Sequence, residues 1–344
     1  VFKRNKKIIK NLKYNEFKNN IIIKNLYLNN KYQIYDFDEI LINTLRNKVF
    51  NNDFNIYKKE NIINVSGQKY DATYFFKTLN EDGKSTVFSK KFKGKINFKI
   101  NEIISENERL FDFAGIGQIK SGKLNKLTAK ANFSDNAILE VSITPTNSNK
   151  KKLFIYSDKA KPFVSGFKFI KGFSEGKLEY TSDYDNKISK SNLKIYDFKV
   201  KDVPVLAKLL SLASLQGMAD LLTGEGIRFS EFEIDFTSEE KLITIDELYA
   251  IGPAISILMN GYVEKDKLVS LRGTLVPATT LNKVIGSLPL IGKILVGSKT
   301  GEGIFGVSFK IKGPPKKLKT TVNPIKTLTP RFITRTLEKI KKSN

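Results

Sequence analysis

Apolar and polar residues alternate with a period of two over most of this chain. Phe92, Ile96, Phe98 and Ile100 share one parity, and Lys93, Lys95, Asn97 and Lys99 take the other. Phe111, Phe113, Gly115, Gly117 and Ile119 repeat the pattern, as do Leu127, Ala129, Ala131 and Phe133. A turn at Ser134-Asp135-Asn136 leads to Leu139, Val141 and Ile143. Successive strand side chains point to opposite faces, so this pattern predicts antiparallel meanders with one buried and one solvated face. Later rungs are Ile255, Ile257, Met259 and Val263, then Val269, Leu271, Gly273 and Leu275, then Phe305, Val307, Phe309 and Ile311. Between Ile227 and Phe236 the parity slips by one residue, from Phe229 to Phe232. A β-bulge near Ser230-Glu231 is expected there.

Three stretches break the alternation and predict helices. Pro204 to Leu222 is the most apolar run, with Lys208 and Asp220 its only charges. An all-round apolar helix requires burial in protein or contact with lipid, and this one is shorter than the roughly 20 apolar residues that span a bilayer. Residues 280–296 carry Leu281, Val284, Ile285 and Leu288 at helical spacing. Residues 330–342 form a short basic amphipathic stretch. Asp38 to Phe50 also reads as a helix, from the spacing of Leu41, Ile42 and Leu45, and Lys161 to Ile170 as a helical or irregular interruption. The five residues Thr223-Gly224-Glu225-Gly226-Ile227 recur as Thr300-Gly301-Glu302-Gly303-Ile304, each time after an apolar helix and before a strand. This is the mark of a repeated unit.

Charge changes the picture less than its size suggests. The 344 residues carry a net charge of +24, but the lysines are spread along the chain. No zinc knuckle or helix-turn-helix accompanies them, so nucleic acid is not the expected partner, whereas an anionic membrane surface is compatible. The chain opens on Val1 rather than Met, as a piece of a longer protein would.

Cys, His and Trp are absent. The common nucleophile–base pairs and zinc sites are thereby excluded, leaving carboxylate pairs or a Ser–Lys arrangement. Glu225 with Glu302, Asp183 with Asp185, and Asp246 with Glu247 are neighbours of the kind chance supplies among 35 acids. The Gly-Glu-Gly turns do not have phosphate-loop spacing; their glycines suit positive-φ positions after a helix. No enzyme activity, metal or cofactor is expected.

From about Leu153 to Leu337 the chain resembles the C-terminal region of AsmA-like proteins of the bacterial envelope (the AsmA, YhdP and TamB types). The resemblance rests on the run SNLKIYDFKVKDVPVLAKLLSLASLQGMADLLTGEGIRFSEFEIDF, Ser191 to Phe236, followed by LYAIGPAISILMNGYV, LRGTLVPATTLNKVIGSLPLIGKILVG, GEGIFGVSFKIKGPPKKLKTTVNP and LTPRFITRTLEK in that order. It implies an elongated, incompletely closed antiparallel β-groove, β-taco-like, with a few apolar capping helices. Two parts are expected: residues 1–150 as a β-rich N-terminal part of the groove, poorly defined at 1–60, and residues 151–344 as the AsmA-like region.

The function implied is non-enzymatic: carriage of phospholipid along a hydrophobic groove between inner and outer membranes. The location implied is the periplasm, with an inner-membrane anchor outside this chain. An assembly or chaperone module for outer-membrane proteins is the alternative, with such envelope proteins as partners. A glycan enzyme built on two carboxylates is a third reading. Groove-lining residues expected from the alternation are Phe229, Ile234, Ile257, Met259, Leu271, Phe305, Val307 and Phe309. Leu206, Leu209, Leu210, Leu281 and Ile285 are expected to add helix contacts.

Overall fold

The computed structural model describes residues 7–46, 49–73, 88–105, 108–146, 150–164, 172–185, 187–212, 224–277, 306–315 and 317–325. The fold is mainly β, mostly antiparallel and not closed into a barrel, with two short helices among the described residues. The chain divides into two compact units, Val1–Asp158 and Lys159–Asn344.

The first unit contains β1 (Lys7–Glu16), β2 (Asn19–Leu28), β3 (Ile34–Phe37), β4 (Glu39–Arg46), β5 (Val49–Lys59), β6 (Ile62–Asp71), β7 (Gly94–Ile104), β8 (Arg109–Lys120), β9 (Lys123–Phe133), β10 (Ile138–Pro145) and β11 (Lys151–Ser157). Each strand pairs with its neighbour in sequence, except that β2 takes both β3 and β4 along its length. Every pairing is antiparallel save β6 with β7, which run parallel. The helix expected from Asp38 to Phe50 is instead β4 and the start of β5. Ile40 and Ile42 face one side while Leu41 opposes Asn55 on the other. A strand with apolar residues on both faces therefore mimics the three- and four-residue spacing of a helix.

The second unit begins with α1 (Lys161–Val164) and β12 (Gly172–Tyr184), followed by β13 (Ile188–Lys201) and α2 (Pro204–Leu212). Strands β14 (Ile227–Glu239), β15 (Leu242–Ile251), β16 (Ile255–Glu264), β17 (Leu268–Pro277), β18 (Gly306–Gly313) and β19 (Lys319–Ile325) complete an antiparallel meander. Helix α2 starts where the Ala207 amide donates to the Val203 carbonyl at 2.9 Å. It buries Leu206, Leu209 and Leu210, with Leu210 at 0% exposure, and packs on β19. Residues 213–223, and the helices expected at 280–296 and 330–342, lie outside the described residues.

The parity slip at Phe229–Phe232 has a cause the sequence only half reveals. The register of β13 with β14 does not shift there, because β13 slips at the same level. In β12 the left-handed residues Glu175 and Gly176 have φ of 63° and 85°, and in β13 Asp197 has φ of 51°. Gly176 and Asp197 sit opposite one another, next to Ser230 of β14, between flanking pairs that keep one register. One residue is spent in each strand, and the apolar side chains stay on the same side. Phe198 accordingly stacks on Phe173 at 5.3 Å and on Phe229 at 5.4 Å, and meets Phe232 edge-on at 6.4 Å. The bulge expected at Ser230-Glu231 is thus a matched slip of adjacent strands. The register of β14 with β15 shifts elsewhere, between Asp235 and Phe236.

A non-glycine residue in the left-handed region costs about 1 kcal/mol or more, and a β-branched one more still. Replacing Asp197 with Gly is therefore expected to leave stability unchanged or raise it. Asp197→Val should lower it by about 1–3 kcal/mol despite valine's strand preference. Urea denaturation midpoints check the signs; a gain from Val would contradict the slip.

Candidate functional site

Strand pairing turns the alternation into transverse rows. In the first unit Leu12, Ile23, Ile40, Ile56, Val65, Phe98, Gly115, Ala129, Val141 and Ile155 stand directly opposite one another, strand to strand. Directly opposed residues share a face, so this is one unbroken apolar row across ten strands, stepping about 4.8 Å per strand. A parallel row runs through Tyr14, Ile21, Ile42, Phe54, Gly67, Ile100 and Phe113. One end of this face is filled. Phe37, Phe88 and Phe92 stack there, at 6.0 and 4.5 Å between ring centres, among Leu26, Leu28, Ile63 and Ile96. Ile23, Ile40, Ile56, Val65 and Phe98 pack against that plug yet stay half-buried, and Val141 and Ile155, farther along the row, are half-buried as well.

The opposite face carries most of the polar side chains, although Ile22 faces Leu41 on it. Asn64 bonds Asn97 at 3.1 Å, Gln68 bonds Asn101 at 2.7 Å, and Lys130 pairs with Glu140 at 2.7 Å.

In the second unit one row passes through Leu178, Ile195, Phe232, Ala250, Ile257, Leu275 and Val307. The next passes through Tyr180, Leu193, Ile234, Leu248, Met259, Gly273, Phe309 and Val322. The first row is largely buried, whereas all of the second except Phe309 is half-buried. Gly273 belongs to the second row for a steric reason. A Cβ there would lie 2.6 Å from the Phe309 ring, which occupies the space.

The residues expected to line a groove are brought together on this face. Ile234, Met259 and Phe309 share the second row, and Ile257 and Val307 the first. Leu271 lies in a third row with Phe236, Ile245 and Ile311. Phe229 lies past the slip, stacked on Phe198. Their exposure separates them: Ile234, Ile257, Met259 and Leu271 are half-buried, while Phe229, Val307, Phe309, Leu206, Leu209 and Leu210 are buried by protein. Phe305, Leu281 and Ile285 lie outside the described residues. Leu193 and Leu248 were not singled out from sequence, nor was the ten-strand row of the first unit. The parity of each was visible, but its register was not.

Of the acidic neighbours noted in the sequence, Glu302 lies outside the described residues. Asp185 accepts the Lys187 and Ile188 amides at 2.8 and 3.0 Å and closes the β12–β13 turn. Asp183 is exposed opposite Lys190. Asp246 is the residue passed over where the β14–β15 register shifts. Among the described residues no cluster of three or more His, Cys, Asp or Glu could hold a metal. Gly226, in the first Gly-Glu-Gly turn, has φ of 92°, and a Cβ on it would meet the Val200 carbonyl at 2.8 Å.

Among the described residues the polar face of β12–β14 carries the largest electrostatic perturbation. Burial, then the charges of Glu179, Glu231 and Glu233, push the Tyr196 phenol up to about 12. Glu233 is itself buried and held by Asn192 at 3.1 Å and Lys194 at 3.4 Å. A cleft of about 480 Å³ in the first unit holds Arg46, Lys69, Asp71 and Arg109. There the cations are paired: Arg46 with Asp71 at 3.4 Å, and Lys69 and Arg109 with Glu102 at 3.1 and 3.0 Å. Burial works to raise the pKa of Asp71, but hydrogen bonds from Thr73, Asn51 and Arg46 outweigh it and hold the carboxyl below its usual range.

No protein-family model, curated protein or solved structure matches this chain.

Because the folded chain holds the Tyr196 proton more tightly than the unfolded chain, it loses stability as pH rises from about 10 toward about 12. An absorbance titration should show one phenol ionising late, lost in Tyr196→Phe, whose stability should fall less over that window. A phenol titrating with the exposed tyrosines would contradict this environment.

Proposed function

We propose that this chain is a non-enzymatic lipid-handling module of AsmA-like type, holding phospholipid acyl chains against the apolar face of its sheets. The reading is carried by the unbroken apolar rows, ten strands wide in the first unit and eight in the second. Half-buried aliphatic side chains gain about 25 cal/mol for each Å² of apolar surface removed from water. Acyl chains supply that cover without needing specific polar partners, and a row with no polar interruption lets them slide between equivalent positions. The mixed use of Ile, Val, Gly, Ala and Phe along one row suits a disordered hydrocarbon better than a ligand of fixed shape. In this reading the module works in the periplasm between inner and outer membranes, within a longer anchored protein.

An assembly role on outer-membrane proteins is the alternative. It is favoured by β1, whose Leu12 and Tyr14 are each 47% exposed.

Mass spectrometry of the purified chain should find co-purified phospholipid. Val141→Asp and Met259→Asp should each weaken binding of a fluorescent phospholipid roughly tenfold, because a carboxylate in contact with hydrocarbon costs at least about 1 kcal/mol. Lys99→Gln on the polar face should leave binding unchanged. A folded chain that holds no phospholipid, and crosslinks to an unfolded β-barrel protein instead, would favour the alternative.

A further inference from the structure

The polar face of β16–β19 gathers cations across adjacent strands. Arg272 of β17 and Lys310 of β18 stand directly opposite one another. One pair further along, Lys312 of β18 opposes Lys319 of β19. Directly opposed like charges on one face destabilise a sheet. Lys120 and Lys123 oppose one another in the same way beside the β8–β9 turn, whereas Lys130 and Lys194 face acids, Glu140 and Glu233. On this face of these four strands the one acid is Glu264, at the far end and bound to Lys267 at 2.8 Å. Among the described residues none of the four cations has a carboxylate partner within salt-bridge distance.

Two of these cations, Arg272 and Lys310, border a cleft of about 510 Å³. Arg272 and Lys310 lie on its wall with Asn260, Thr274, Thr321 and Leu258. Asn260 accepts a hydrogen bond from the Arg272 Nε at 3.0 Å, which orients the guanidinium and leaves its terminal nitrogens free of that contact. A fixed guanidinium, a facing ammonium and threonine hydroxyls around one concavity form the donor set that recognises a phosphate oxygen cluster.

We infer that this cleft is an anion site for a phosphate ester, with Arg272 and Lys310 clamping the phosphate and the threonine hydroxyls bonding its remaining oxygens. The unpaired opposition of the two cations is then the apo form of a site whose anion arrives with the ligand. Arg272 and Lys310 stand on the face opposite the apolar rows, while the cleft also borders Met259, Gly273 and Phe309 of one row. The phosphate could be carried by a soluble ester or by a phospholipid headgroup, and both present the same chemistry.

The full chain is titrated with glycerol 3-phosphate and with inorganic phosphate, followed by calorimetry and by the thermal midpoint. It is separately sedimented with vesicles of phosphatidylglycerol or of phosphatidylcholine. Phosphate ligands should raise the midpoint of the native chain, since they bind only the folded state. Arg272→Gln with Lys310→Gln should weaken phosphate-ester binding tenfold or more, while Lys99→Gln changes it less than twofold. Lys310→Gln alone should raise the ligand-free midpoint, by removing the facing charge, and abolish the shift that phosphate produces. That pairing of signs separates a lost site from a damaged fold. Binding of glycerol 3-phosphate places the site with soluble esters, and retention only on phosphatidylglycerol vesicles places it with headgroups. Equal losses from Lys99→Gln, no binding of either ligand class, or tighter binding of duplex DNA that the double variant leaves intact would overturn the assignment.

Discussion

Cross-strand register is the constraint on which everything else in this protein depends. A one-residue slip in a single strand would send its entire apolar set to the opposite face. The second unit keeps its rows intact by slipping adjacent strands together, with left-handed residues at Gly176 and Asp197 opposite one another and Ser230 beside them. In the first unit β7 and β8 keep one register past Asp112 of β8, which has φ of 52° and faces Asn101, while the β8–β9 register shifts between Phe111 and Ala114. On either side of each slip the aromatic and aliphatic side chains remain on the same face.

That constancy gives each unit two chemically different faces. One carries rows of Ile, Val, Leu and Phe that protein only partly covers, together with the Phe37, Phe88 and Phe92 plug. The other carries amides, hydroxyls and ion pairs. The division is not perfect: Tyr249, Ser256 and Val276 on the polar side are fully buried, and among the described residues the Ser256 hydroxyl meets no hydrogen-bond partner. The polar side also varies in charge. At Glu102 and Glu233 its acids and bases cancel, while at Arg272 and Lys310 they do not. Charge totals could not have distinguished these places, because the lysines are spread along the whole sequence.

Much of the β architecture was legible because a period of two is a local signal. Phe98 with Ile100, and Val307 with Phe309, announce their face without knowledge of any neighbour. What was not legible depends on pairing. The β4 segment read as a helix because Leu41, Ile42 and Leu45 satisfy helical spacing, and only the pairings with β2 and β5 show which of them share a face. The parallel junction of β6 with β7 is likewise a tertiary choice that the alternation of either strand leaves open. Leu193 and Leu248 join the row of Ile234 and Met259 through register alone, and so does the facing of Arg272 with Lys310. The apolar character of α2 was plain from its sequence, and its burial of Leu206, Leu209 and Leu210 follows from that character.

The central claim is that the apolar rows are open to a lipid rather than sealed by protein. The chain has no cysteine, so single nitroxide labels can be placed at Val141, Ile155 and Leu248 on the rows, with Ser142 on the opposite face as the reference. Electron paramagnetic resonance with dissolved oxygen and a water-soluble nickel chelate then measures what each label meets. Open rows predict row labels reached by both quenchers in the lipid-free chain, then shielded from nickel but not from oxygen once phospholipid is added. Row labels that neither quencher reaches, with or without lipid, would mean that side chains already fill this face, and would contradict the account.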